Sequence, residues 1–133
     1  LKKYSLSSEE RIKKKKDFEK IYNTSKALIS SNQLIKANYY YEFLDIPGIV
    51  MIAAAVSSKA GKAVWRNRVK RLIKEAYRKN KHNLLEKSRT EKIKLMIVFS
   101  SYRLSEEKNK KVFLKDISES IEELLNKIFL QLQ

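Results

Sequence analysis

IVMIAAAVSSKAGKAVWRNRVKRLIKEAYRKNKHNLL, residues 49–85, changes its hydrophobic period once, and that change decides the fold class. Residues 49–57 are an almost wholly apolar run of strand length, which predicts a central strand covered at least in part on both faces. Alanines 53–55 leave room for a helix to approach closely. Residues 58–62 are a polar break around Gly61. Beyond it Val69, Leu72, Ile73, Ala76 and Tyr77 recur at spacings of three and four, which predicts one long helix from Ala63 to about Leu85. Its other faces carry Arg66, Arg68, Lys70, Arg71, Lys74, Arg78, Lys79 and Lys81.

Outward from this stretch the elements are shorter. Phe18, Ile21 and Tyr22 share one face of a helix predicted over residues 14–23. Residues 33–44, QLIKANYYYEFL, read as a strand with Tyr39, Tyr41 and Phe43 on one side and Tyr40, Glu42 and Leu44 on the other. The only Pro stands next to a Gly within residues 45–48, which predicts a turn and a hairpin joining the two strands around it. Residues 93–99, IKLMIVF, are a further strand. Ser105, Glu106 and Glu107 read as the start of a last helix, with Phe113, Ile117, Ile121, Leu124 or Leu125, and Ile128 at core spacing. Its acids, Asp116, Glu119, Glu122 and Glu123, place it away from a polyanion. The order is α+β with a small, mostly antiparallel sheet. Residues 1–10 read as a flexible arm and residues 11–133 as a single domain.

Composition narrows the chemistry. The 133 residues carry 30 Lys+Arg against 15 Asp+Glu, a net charge of +15, with one His and no Cys. Thiolate catalysis, disulfides and Cys-based metal sites are excluded, and a His-rich metal centre is hard to build. No run reaches the roughly 20 apolar residues of a membrane span, and no signal-peptide pattern opens the sequence; a cytoplasmic protein is expected. No carboxylate pair has acid/base spacing, and a Walker-type phosphate loop is absent. The charge points to a polyanion, most simply nucleic acid.

That charge is concentrated. Residues 59–81 hold ten Lys/Arg and one acid, Glu75. On a helix Arg66, Lys70 and Lys74 share one side and Arg68, Arg71 and Arg78 the adjoining side, an arc broad enough to lie along a phosphate ribbon. Asn67 either caps or braces the helix start or touches RNA. Trp65 is a core aromatic or a surface platform, and His82 a solvent-facing residue or a phosphate contact. Phe18, Tyr22 and the tyrosines 39–41 either bury against the sheet or stack on bases, beside a second basic patch at Arg11, Lys13, Lys14, Lys15 and Lys16.

SKAGKAVWRNRVKRLIKEA, residues 58–76, closely resembles the signature of the protein subunit of bacterial ribonuclease P, whose hallmark is the Arg-Asn-Arg core, here Arg66, Asn67 and Arg68. RIKKKKDFEKIY, residues 11–22, and the strand over residues 50–57 also match, so the resemblance covers roughly residues 11–130. It implies a fold similar to the second domain of ribosomal protein S5. That fold is a four-stranded, mostly antiparallel sheet packed with three helices, with a left-handed βαβ crossover; the fourth strand would be short and near residues 59–64. It implies a chain that binds the catalytic RNA and the 5′ leader of precursor tRNA and assists Mg²⁺-dependent leader removal, the RNA being the catalyst and holding the Mg²⁺. The protein itself would be monomeric, in one or more copies per holoenzyme.

By the same resemblance, Lys59, Lys62, Arg66, Asn67, Arg68, Lys70, Arg71 and Lys74 would meet the catalytic RNA. Arg11, Lys14, Phe18, Tyr22 and a strand tyrosine, Tyr39 or Tyr41, would meet the leader. Two positions depart from the family pattern: Ala60 follows Lys59 where a second basic residue is usual, and Tyr22 stands where Phe is common. A non-enzymatic, ribosomal-type RNA-binding protein is the alternative.

Overall fold

The computed structural model describes residues 6–24 and 26–132. Four strands, β1 (Ala27–Ile29), β2 (Ile35–Phe43), β3 (Ile49–Ala55) and β4 (Ile93–Ser101), and four helices, α1 (Lys15–Asn23), α2 (Ala63–Asn80), α3 (His82–Thr90) and α4 (Leu114–Gln131), follow a 3₁₀ turn at Ser8–Glu10. The sheet order is β1-β2-β4-β3. β1 with β2 and β2 with β4 are antiparallel, whereas β3 with β4 is parallel, so the sheet is mixed.

β4 is an interior strand, paired with β2 on one side and β3 on the other. Its near-continuous apolar run has Ile93, Leu95, Ile97 and Phe99 on one face and Met96 and Val98 on the other, all fully buried. The back face meets Ile35, Ala37, Tyr39, Val50 and Ile52 of the neighbouring strands under Val69, Ile73 and Tyr77 of α2 and Ile117, Ile121, Leu124 and Ile128 of α4. The front face is covered by less: Ile12, Phe18 and Ile21 pack on Met96 and Val98, beside Tyr40, Met51, Ala53 and Ala55.

Five expectations are corrected. Residues 33–44 and 49–57 do not form a hairpin, because β4 inserts between β2 and β3. The loop between them crosses the start of β4, with Leu44 N–H donating to Lys92 O at 2.7 Å. Gly48 lies so close that a Cβ there would stand 2.0 Å from Ile93 O, which is why no side chain fits at that position. Second, β3 is at the sheet edge rather than central; its outer side is closed by a bridge from Arg11 to Ile52, where Ile12 N–H donates to Ile52 O at 3.0 Å. Third, the short fourth strand is β1, and residues 58–61 are a turn. Fourth, the long helix is interrupted at Lys81, so four helices replace three. Fifth, α4 begins at Leu114; residues 105–108 form a turn, with Asn109 N–H on Ser105 O at 2.7 Å, and Phe113 is 58% exposed.

Of the expected arm, residues 1–5 lie outside the described residues; within residues 6–10, Ser7, Ser8 and Glu9 are exposed, and Leu6 and Glu10 make the contacts. Leu6 is in the core, and Ser7 N–H and Oγ both donate to Glu10 Oε1 at 3.2 Å. Glu10 Oε2 pairs with the buried Lys81 ammonium at 3.1 Å, tying the N-terminal segment to the junction of α2 and α3.

Candidate nucleic-acid interface

α2 divides by its own periodicity. Trp65, Val69, Ile73, Ala76 and Tyr77 are buried, and the Trp65 indole N–H donates to Asn109 O at 3.0 Å, so Trp65 is a core residue. The opposite side is cationic: Lys59, Lys62, Arg68 and Arg71 are exposed, and Arg66, Lys70 and Lys74 are half-buried. Two of the arginines also brace the backbone. Arg66 Nε donates to Gly61 O at 3.0 Å and Arg68 Nη2 to Val112 O at 3.1 Å. A guanidinium has five N–H donors, so each keeps most of them for an anion. Asn67 is exposed inside the helix, past the Lys62 cap, and so does not cap it. Lys81, by contrast, leaves the basic surface for the ion pair with Glu10, and Lys79 is paired with Glu75 at 3.6 Å. His82 is exposed.

The front face carries the second group. The Arg11–Ile12 segment runs parallel to β3, whose C-terminal end leads through residues 56–58 to Lys59. The exposed cations Lys13, Lys14, Lys15 and Lys16 therefore leave the same sheet edge from which the α2 cations follow. Arg11 is exposed, with one donor at 3.5 Å from Leu6 O, and Lys14 is the α1 cap residue. Phe18 is half-buried against Ile21, Met96 and Val98, while Tyr22, one turn on, is 50% exposed. Burial holds the Tyr22 phenol above its ordinary pKa.

Strand register resolves the tyrosine triplet against the sequence expectation. Tyr39 and Tyr41 oppose Ile97 and Leu95 and belong to the back-face core. Tyr39 is 2% exposed and donates its hydroxyl to Gln131 Oε1, and Tyr41 lies beneath the Lys26 ammonium, 4.7 Å from its ring centroid. Tyr40 opposes Met96 on the front, beside α1, and is the strand tyrosine that shares a face with Phe18. Next to it Ala53 and Ala55 give β3 a floor of small, half-buried side chains.

Sequence reasoning missed the segment between β4 and α4. It presents Tyr102, 42% exposed with the Arg103 guanidinium 5.7 Å from its ring centroid, together with Lys108 and Lys110. Open cavities of about 470 and 340 Å³ adjoin it and share Lys59 and Ala60. The cation density of residues 103–111 is the available signal, and the helix start expected at residues 105–107 masks it. Among the described residues no three His, Asp or Glu side chains converge as a metal site.

An α+β domain with one cationic helix face and an aromatic-lined opposite face defines a polyanion-binding class of protein. Within that class the chain belongs to the Ribonuclease P family, whose family model matches residues 6–128. It is 37% identical over 118 residues to the ribonuclease P protein component of Clostridioides difficile, spanning 87% of this chain and 89% of that one. The corresponding protein of Clostridium acetobutylicum is 43% identical over 76 residues, 57% of this chain and 61% of the relative. That match therefore spans about three fifths of the clostridial protein. The fold is similar to the ribonuclease P proteins of Staphylococcus aureus (TM-score 0.66, 24% identity, 90% of this chain and 94% of that one) and Thermotoga maritima (TM-score 0.66, 24% identity, 89% and 96%).

Proposed function

We propose that this chain is the protein subunit of a bacterial ribonuclease P. It binds the catalytic RNA through Lys59, Lys62, Arg66, Asn67, Arg68, Lys70, Arg71 and Lys74, and holds the 5′ leader of precursor tRNA along Arg11, Lys14, Phe18, Tyr22 and Tyr40. Tyr40 takes the place expected of Tyr39 or Tyr41, because it alone of the three shares the face of α1. The observation that carries the reading is the row of cations on the outer side of α2, inside the stretch that bears the Arg-Asn-Arg core.

The chemistry assigned to this chain is electrostatic and positional. Guanidinium forks and ammonium groups offset the repulsion between phosphate backbones, and exposed rings offer stacking surfaces to a single strand. Hydrolysis belongs to the RNA, with Mg²⁺ held mainly by RNA phosphates; the protein works in the cytoplasm as a monomer, in one or more copies per holoenzyme. Among the described residues no helix is long and apolar enough to cross a membrane.

Reconstitution tests the proposal. Precursor and mature tRNA are presented to a bacterial ribonuclease P RNA with Mg²⁺ at low salt, with and without this protein. The expected result is faster leader removal and tighter precursor binding with the protein, and no cleavage by the protein alone. Cleavage by the RNA that is unchanged on adding the protein would overturn the reading.

A further inference from the structure

The start of α2 is completed from another part of the chain. Its cap residue, Lys62, has extended backbone (φ −70°, ψ 160°) and no side-chain cap. A self-contained helix start places Glu or Gln at the third helical position, where it reaches back to the cap N–H. Here that position is Trp65, which is turned into the core. The carboxylate comes instead from Glu106, in the segment between β4 and α4: its Oε1 accepts Lys62 N–H at 2.8 Å, and its own N–H donates to Ala60 O at 2.7 Å. Gly61 is closed in between, since a Cβ there would lie 2.7 Å from Trp65 Cε3 and 2.8 Å from Glu106 Cβ. Two bonds from one residue thus pin the turn that carries Lys59 and Lys62.

We infer that Glu106 is a positioning residue for this cationic turn, holding Lys59 and Lys62 in place for RNA although its own charge is of the wrong sign. The inference rests on the proposed RNA-binding role of the α2 face. It opposes what simple electrostatics demands. Glu106 stands among Lys59, Lys62 and Lys110, and removing an acid from such a cluster strengthens its pull on phosphate. Glu107, adjacent, exposed and lining the same cavity, provides the matched comparison.

The test uses the full chain and a bacterial ribonuclease P RNA as probe, titrated at two salt concentrations, at a temperature where circular dichroism shows every variant folded. Glu106→Gln keeps the acceptor and loses the charge; it binds as tightly as the parent or more so. Glu106→Asp keeps the charge but retracts the carboxylate by one methylene; it binds roughly fivefold more weakly, the loss expected of an unmade helix cap. Glu106→Ala is weakened likewise, whereas Glu107→Ala binds more tightly. If Glu106→Asp equals the parent and Glu106→Ala tightens as much as Glu107→Ala, Glu106 acts as a charge alone and the inference is overturned. Lys62→Ala reads the underlying proposal separately. Weaker binding with a smaller salt slope supports it, and an unchanged affinity removes both that proposal and the inference resting on it.

Discussion

The two faces of the sheet are built from the same strands but serve opposite ends. Behind it, β4 sets Ile93, Leu95, Ile97 and Phe99 into a continuous core under α2 and α4. In front, only α1 and Ile12 of the segment before it cover Met96 and Val98, and Tyr40, Met51, Ala53 and Ala55 stay half open. The difference teaches that stability resides behind the sheet, which frees the front to expose aromatic and small side chains that a ligand can cover. The cationic outer side of α2 belongs to the same division, because the inner side of that helix is what the core holds.

The largest expected effect breaks or confirms this division directly. Phe99→Ala empties a fully buried site and should lower unfolding free energy by about 3–5 kcal/mol in urea titrations, against less than about 1.5 kcal/mol for Tyr40→Ala on the front. Equal losses would mean that both faces carry the fold. Next, Glu10→Ala removes the carboxylate paired with the buried Lys81 and should cost about 3 kcal/mol. A neutral outcome would show that the N-terminal segment adds nothing to the back face.

Smaller effects concern ligands. Tyr22→Ala should weaken precursor tRNA binding by the holoenzyme about tenfold, with mature tRNA unaffected, as expected for one lost stacking contact. Equal losses for both RNAs would assign Tyr22 to the fold. Smallest of all, Arg71→Ala should reduce affinity for the catalytic RNA severalfold and lower the salt slope by about one unit. An unchanged slope would place Arg71 off the phosphate path.

Much of this architecture was legible because periodicity is local. α1, β2, β3, the body of α2 and β4 fall where the residue patterns put them, and the Arg66–Arg71 arc reads directly as the cationic outer side of a helix. What escaped depends on partners distant in sequence. β1 has three residues, too few for a pattern. Nothing local marks the break at Lys81, whose carboxylate partner lies 71 residues earlier. Ser105 with two glutamates imitates a helix start, but Glu106 is engaged at Lys62 instead. The tyrosine triplet is ambiguous by construction, since three successive identical residues show which two share a face but not which face is inside; only register with Met96 and Ile97 decides.

The interior place of β4 also governs how the molecule assembles. It is the last strand in the chain, yet β2 and β3 meet only through it. Until residues 93–101 are synthesised, the three earlier strands cannot complete the sheet, and the apolar β3 lacks its neighbour. Closure requires bringing residues 93–101 back across α2 and α3, a non-local step that contributes entropy cost before any pairing rewards it. The β1–β2 pair and β3 are thus joined into one sheet only by the strand that is made after both, so sheet closure is a late, long-range step rather than a local one.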